Sequence, residues 1–446
     1  MHSPLLLPRI GAAFKAKQLA SGVFVSGRDA ASVRAADVHA DNLWYLASVS
    51  ARVDPAARRV EAAWFGLSRE TAVWRPGLGC TVAIGTDPDG LAARLPALPP
   101  VPAPDPGRPW PEGDAPSAEP PPGVDARALA AALDAAFAEP DPARLRRTRA
   151  ALVVQKGRIV AERYAPGIAA TTPLLGWSMT KAVLNALLGI QIGQGALALD
   201  ADDLMPEWRE RPDDPRRRIT LDHMLRMSSG LAFDETYANP LSDVTVMLFG
   251  TGDAAALAID RPLAHPPGAH FAYASGTSNI LGRLLRDRLG DDAALAQPRA
   301  ALFAPLGMAS AVLEPDAAGT PLFSSYMYAT ARDWARLGLL YLQDGIWQGR
   351  RLLPEGWARY TATPAPAAPA GEYGAHVWTQ VPGVFRQGRT GPDALPKGTW
   401  HLAGFEGQFV TIVPARETVI VRLGLARRSQ SWDQERFVLD VLAALG

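Results

Sequence analysis

The chain has a single cysteine, Cys80, among its 446 residues. One thiol excludes an internal disulfide and a cysteine-based zinc site. Lysine is almost as scarce: five lysines stand against 40 arginines. No run of 18 apolar residues occurs, so no membrane span is expected. The opening MHSPLLLPRIGAAFKAK lacks a basic region followed by an apolar stretch of signal-peptide length. No signal peptide is read there, which is compatible with the cytoplasm or the periplasm of a bacterium. No charge of one sign dominates, with 45 acids against 45 bases, so nothing favours nucleic acid as a partner.

What is present is ordinary globular composition. Hydrophobic residues make up 48% and charged residues 20%, enough for a large core. The length predicts two or three structural units. Residues 96 to 122 hold 12 of the 40 prolines. Proline lacks an N–H and fixes φ, so this stretch reads as an extended, semi-rigid linker, taken as 96–125. Before it, residues 1–95 form an N-terminal extension of no legible role, with strand-like runs GVFVSG and CTVAIGT. After it, residues 126–446 read as one domain. RALAAALDAAFAE predicts a helix by propensity, and ALVVQKGRIVAERY predicts two strands around a Lys156-Gly157 turn. FVTIVPARETVIVRLG predicts two more strands, and WDQERFVLDVLAAL a closing amphipathic helix. Strands at both ends with helices between them argue for an α+β fold. Its antiparallel β-sheet would be flanked by helices and carry a mostly helical insertion.

The scarcity of lysine makes one of them conspicuous. In GWSMTKAVLNALLGIQIG, Ser178 and Lys181 stand three apart in an apolar stretch. On a helix that spacing places both on one face. A serine hydroxyl needs a base to take its proton. Lysine serves when burial among groups such as Trp177, Met179 and Val183 disfavours its charge, and arginine cannot. No other lysine here has a serine three residues before it. Set against this is a surface lysine reaching from a helix edge to water.

Two further stretches carry chemistry. In FAYASGTSN, Tyr273 and Ser275 sit in a small-residue loop before an amphipathic helix. Tyr273 is a candidate general acid or base, against the alternative of a packing tyrosine. In AGFEGQFVTIVP, a turn through Gly407 runs into a strand. The backbone N–H groups of Gln408 and Ser178 are candidate oxyanion donors, against the alternative of an ordinary hairpin. Trp177 and Trp378 are candidate walls of an apolar cleft. His265 and His270 flank Pro266-Pro267 and cannot form a helical H-x-x-x-H pair, so no metal is expected, and the serine–lysine chemistry needs no organic cofactor. GWSMT lacks the second glycine of a nucleophile elbow, which argues against an α/β-hydrolase triad with His401.

Taken in order, Ser178-Met179-Thr180-Lys181, Tyr273-Ala274-Ser275 and Phe405-Glu406-Gly407-Gln408 resemble the three motifs of the serine β-lactamase and penicillin-binding-protein superfamily. Those motifs are S-x-x-K, Y-x-N or Y-x-S, and K-T-G or H-x-G. ITLDHMLRMSSGLAFDETY, PPGAHFAYASGTSNILGRLLR and ATARDWARLGLLYLQDGIWQGRRLLP add to the likeness, which spans about residues 125 to 446. They are most similar to the class C-type branch, and within it to the aminohexanoate-dimer (nylon-oligomer) hydrolases and related carboxylesterases.

The resemblance implies a serine hydrolase that cleaves a small ester or amide through an acyl-enzyme on Ser178. It also makes Tyr237 a substrate-contact candidate, alongside Ser275, Phe405, Glu406 and Gly407. The chain departs from the pattern at Phe405, where relatives carry lysine or histidine, and at Glu406. Lys397 or His401 could supply the missing cation. Ser275 in place of asparagine, like the lost cation, points to esterase or amidase behaviour. A D-alanyl peptidase, a weak β-lactamase and a non-catalytic binder or sensor on the same fold remain the alternatives. The sequence leaves the oligomeric state open.

Overall fold

The computed structural model describes residues 5–115, 121–386 and 394–446, and the chain divides into two compact units. One unit comprises residues 1–99, 199–298 and 312–328. The other comprises residues 100–198, 299–311 and 329–446. The expected 1–95 segment thus shares a unit with later parts of the chain. The change of unit falls at Pro99–Pro100, inside the proline-rich stretch. Residues 1–4 of the opening and 116–120 of the expected linker lie outside the described residues.

In the first unit, a helix (Leu6–Phe24) packs on a four-stranded antiparallel meander: Val49–Asp54, Arg59–Trp64, Ser68–Arg75 and Gly79–Val82. Small residues let the two approach. A Cβ on Gly11 would meet the Trp64 ring of the sheet at 2.7 Å, and one on Gly22 would meet Val33, in the short helix Ala30–Val33, at 2.6 Å. This corrects the reading of GVFVSG as a strand, because its first three residues are the last turn of the helix. The alternation of Val and Phe is local, and packing against the sheet overrides it.

The helix carries two buried lysines. Lys15 Nζ donates to the Leu46 carbonyl at 2.9 Å, and burial with the nearby Arg34 charge lowers its pKa to about 8. Lys17 Nζ lies 2.6 Å from the fully buried Glu314 carboxylate. The same carboxylate accepts from Ser21 Oγ at 2.8 Å and the Cys80 amide at 2.6 Å. Even so, burial keeps Glu314 above the usual carboxylate range. Helices Asp243–Phe249, Ala254–Ile259, Ser275–Leu289 and Asp291–Gln297 are among those that follow in this unit.

The second unit is built on a five-stranded antiparallel sheet. Its strand order is Trp400–Gly404, Gln408–Val413, Thr418–Gly424, Thr148–Gln155 and Arg158–Tyr164. The first strand of the expected domain pairs with the last, Thr418 opposite Gln155. Side chains alternate across a strand. Ala151, Val153, Phe409 and Ile420 therefore face helices Ala126–Phe137 and Gln434–Ala443. Val410 and Val419 face helix Ala331–Leu342, where a Cβ on Gly338 would meet both at 2.7 Å. The α+β reading holds, with the antiparallel sheet and flanking helices as expected.

Part of the proline-rich stretch is docked within this unit. Arg336 donates to the carbonyls of Pro111 (3.1 Å) and Gly113 (2.7 Å) and to the Asp114 carboxylate (2.8 Å), while Trp110 is buried.

Removing one partner of a buried ion pair strands the other charge and costs about 3–5 kcal/mol. Lys17→Met is therefore expected to lower the urea unfolding free energy by about that amount. Adding Glu314→Gln, which keeps an acceptor for Ser21 and Cys80 without the charge, is expected to recover part of the loss.

Candidate active site

Ser178 lies in a short 3-10 turn, Trp177–Met179, that leads into helix Thr180–Gly193. The helix is buried from Thr180 through Ile190, as its near-continuous apolar sequence requires. Two features fix the entry. Gly176 is pressed against Trp334, where a Cβ would meet the indole at 2.2 Å. Trp177 has φ +48°, in the left-handed region, which costs a non-glycine residue about 1–3 kcal/mol and is held only by its surroundings. Thr180 Oγ1 donates to the Trp177 carbonyl at 2.7 Å.

The i, i+3 spacing then brings Lys181 Nζ to 3.0 Å from Ser178 Oγ. Lys181 is 1% exposed and Ser178 9%. The amine meets the hydroxyl at hydrogen-bond distance, away from bulk water.

One turn further on, Asn185 anchors the helix. Its Oδ1 accepts from Tyr341 Oη at 2.7 Å, Trp357 Nε1 at 2.9 Å and Thr361 Oγ1 at 3.2 Å. Its Nδ2 donates to the Ala375 carbonyl at 2.9 Å. Next in the chain, His376 Nδ1 lies 3.3 Å from the Lys181 carbonyl and donates to it in the matching tautomer. Burial, and then the Lys181 charge, lowers the pKa of His376 to about 3, so this ring is neutral at pH 7. Asn185 and His376 were not singled out from sequence. The only signal for His376 was its place in YGAHVW, beside Trp378.

The third motif is a tight hairpin within the same unit. Strand Trp400–Gly404 turns through Phe405–Gly407 into Gln408–Val413, with Gly404 opposite Gln408. A Cβ on Gly404 would meet the Gly176 carbonyl at 2.2 Å, so the hairpin and the nucleophile turn touch backbone to backbone. Glu406 is buried with φ 62°, a second left-handed non-glycine residue. Its carboxylate accepts from Trp177 Nε1 at 3.1 Å and pairs with Arg427. Phe405 stands edge-on to Trp177, 5.6 Å between ring centres, and is 38% exposed.

Arg422 holds the turn from below, donating to the Gly407 carbonyl at 2.7 Å and the Glu406 carbonyl at 3.2 Å. Burial brings its pKa down to about 9. The Gln408 side chain is tied to Gly424 by bonds to both its carbonyl and its amide.

Of the cations suggested for this motif, His401 is fully buried in the sheet with Nδ1 2.9 Å from Thr411 Oγ1, so it does not line a cleft. Burial lowers its pKa to about 3. Lys397 is exposed on the turn before the strand. Trp378 is bridged to His401 through the backbone and stands edge-on to Tyr373.

Tyr273, Ser275 and Tyr237 belong to the first unit, where Ser275 and Tyr237 meet at Glu235. Ser275 is not a loop residue, because it opens helix Ser275–Leu289. The N-cap of that helix, Ala274, has no side chain able to cap it. Glu235 does so from outside, accepting from the Ser275 amide at 2.7 Å and Ser275 Oγ at 2.5 Å. Tyr237 Oη donates to the same carboxylate at 3.2 Å. Loss of water, then the Glu235 charge and the neighbouring Tyr273, raises the Tyr237 phenol well above its usual range. With Ser275 fully buried, its hydroxyl serves the helix terminus. Glu235 is a residue the sequence reading passed over, although it lies two residues before Tyr237 in the quoted FDETY.

The beta-lactamase family model matches residues 133–436. The chain belongs to the beta-lactamase family. Across 330 residues it is 26% identical to a 6-aminohexanoate-dimer hydrolase of Paenarthrobacter ureafaciens, which covers 67% of this chain and 79% of that protein. Among solved structures it resembles a penicillin-binding protein homolog from Caulobacter crescentus (TM-score 0.53, 18% identity, 74% of this chain and 99% of that one). It also resembles EstCE1, described as a hydrolase with promiscuous acyltransferase activity (TM-score 0.54, 16% identity, 72% and 99%). At these identities the structural matches speak to the fold alone. Membership of the beta-lactamase family makes the chain a hydrolase of that fold, and it does not select the bond that is cleaved.

Glu235→Ala removes the carboxylate that accepts from the Ser275 amide and hydroxyl. It is expected to cost about 1–2 kcal/mol, read as a lower melting temperature. For His401, the folded pKa lies near 3 against the ordinary 6.5 of the unfolded chain. The stability linked to it is complete above about pH 6.5 and is lost as pH falls towards 3, at up to about 1.4 kcal/mol per unit. His401→Gln is therefore expected to make the fall in unfolding free energy between pH 6.5 and 4.5 less steep than in the parent protein.

Proposed function

We propose that the chain hydrolyses a small ester or linear amide through an acyl-enzyme on Ser178. The observation that carries this reading is the 3.0 Å contact of the buried Lys181 amine with the Ser178 hydroxyl. Lys181 takes the hydroxyl proton as Ser178 Oγ attacks the carbonyl carbon. The negative oxygen of the tetrahedral intermediate is held by the backbone N–H groups of Ser178 and Gln408. Losing one such donor costs about 10²–10³ in rate. Tyr273, taking its role from the second motif of the family, gives a proton to the leaving group and regains one from the protonated Lys181, and water then clears the acyl-enzyme.

Two features support a neutral ester or amide over a penicillin-like substrate. Phe405 stands where a substrate carboxylate would need a cation, and the next residue, Glu406, is an acid. The name of the 26% identical relative suggests aminohexanoate oligomers among the amides to be tried.

Ser178→Ala is expected to abolish hydrolysis of p-nitrophenyl acetate and butyrate, and full retained turnover would end the proposal. Lys181→Arg keeps the charge but not the base. It is expected to lower kcat by at least about 10², within the range for loss of a general base. In a screen of short esters, aminohexanoate oligomers and nitrocefin, turnover is expected to be weakest on nitrocefin.

A further inference from the structure

The third motif of this chain lacks the cation of its relatives and holds a buried acid instead. Glu406 is in contact with the residue that precedes the nucleophile. Trp177 Nε1 donates to Glu406 Oε2 at 3.1 Å, and both residues are 5% exposed. Both also have left-handed backbones, φ +48° and φ 62°, a conformation that an aromatic residue and a glutamate rarely adopt. Such backbone states persist where other contacts impose them, and here each residue is held by the other's side chain or turn. The remaining carboxylate oxygen pairs with Arg427, whose side chain is 4% exposed, so the buried acid is neutralised. The Glu406 carbonyl is held separately, by the Ala426 amide at 2.8 Å and by Arg422 at 3.2 Å.

The chain positions give this contact its consequence. Trp177 is one residue before Ser178, and Glu406 is two residues before Gln408. Ser178 and Gln408 carry the two N–H groups assigned above to the oxyanion.

We propose that the Trp177–Glu406 hydrogen bond is a latch that sets the spacing of the two oxyanion donors. Glu406 and Trp177 are then positioning residues for the transition state, without touching the reacting atoms. The proposal rests on the assignment of Ser178 as nucleophile and of the Ser178 and Gln408 amides as its oxyanion donors.

A latch of this kind acts where charge develops on the carbonyl oxygen, so its loss is read in kcat and not in KM. Displacing a donor by an ångström can cost on the order of 10² in rate. Three variants test it on p-nitrophenyl butyrate. Trp177→Phe keeps the ring and removes the donor. Glu406→Gly removes the acceptor while suiting the left-handed backbone. Glu406→Gln keeps an acceptor without the charge.

The first two variants are expected to lower kcat about 10- to 100-fold with KM within about 2-fold. They should weaken inhibition by a boronic acid, which mimics the tetrahedral state, by a similar factor. Glu406→Gln has one acceptor oxygen for two donors, Trp177 and Arg427, and is expected to fall between the parent and Glu406→Gly. If Trp177→Phe and Glu406→Gly both keep kcat within about 2-fold, the latch is refuted. Should a Glu406 variant fail to fold, Trp177→Phe decides by the same criterion. The Ser178→Ala control separates the two levels. A dead control with fully active latch variants refutes only the latch, whereas an active control refutes the serine assignment on which it rests.

Discussion

A primary amine held out of water beside a serine hydroxyl is the constraint around which the second unit is built. An amine in that position needs a fixed partner, and the helical spacing of Ser178 and Lys181 supplies one at 3.0 Å. The helix must then be held as firmly as the pair it carries. Asn185 does this with four hydrogen bonds to three side chains and one carbonyl. The contacts of Gly176 with Trp334 and with Gly404 fix the entry of the chain, leaving no room for a side chain at either glycine.

Comparing the buried lysines shows how partners assign roles to the same side chain. Lys17 faces the Glu314 carboxylate, a charge pair whose work is to join the N-terminal helix to the 312–328 segment within the first unit. Lys15 donates to main-chain carbonyls that close the helix onto the loop before the sheet. Lys181 instead meets a hydroxyl that a base can activate. The same economy of charge recurs at the hairpin. Arg422 and Arg427 between them satisfy the carbonyls and the carboxylate of a turn that would otherwise bury an acid and two polar backbone groups.

Much of this was legible in the chain. The Ala126–Phe137 helix, the hairpin around Lys156-Gly157, the late strands and the closing helix all follow from patterns within about 15 residues. The segment GVFVSG was misread for the converse reason: its alternation was real, but a sheet formed by residues 49–82 decided the outcome. The contacts passed over share one property. Glu235 acts on Ser275 40 positions away, His376 on Lys181 at 195, and Glu406 on Trp177 at 229. No periodicity connects such positions. Glu406 was read as a departure from a motif and as a substrate-contact candidate, and its partners Trp177 and Arg427 could not be paired with it in advance.

The sequence alone determined the serine and lysine pair and the α+β class, because helical and strand periods bring near neighbours together whatever the rest of the chain does. It also set the order of the three motifs. Tertiary structure alone decided which buried polar groups meet: the acid that caps the helix opening at Ser275, the neutral histidine behind Lys181, and the acid that reaches Trp177. In the interior each of these must find a partner, and the partner is whichever group the folded backbone brings within about 3 Å, at any distance along the chain.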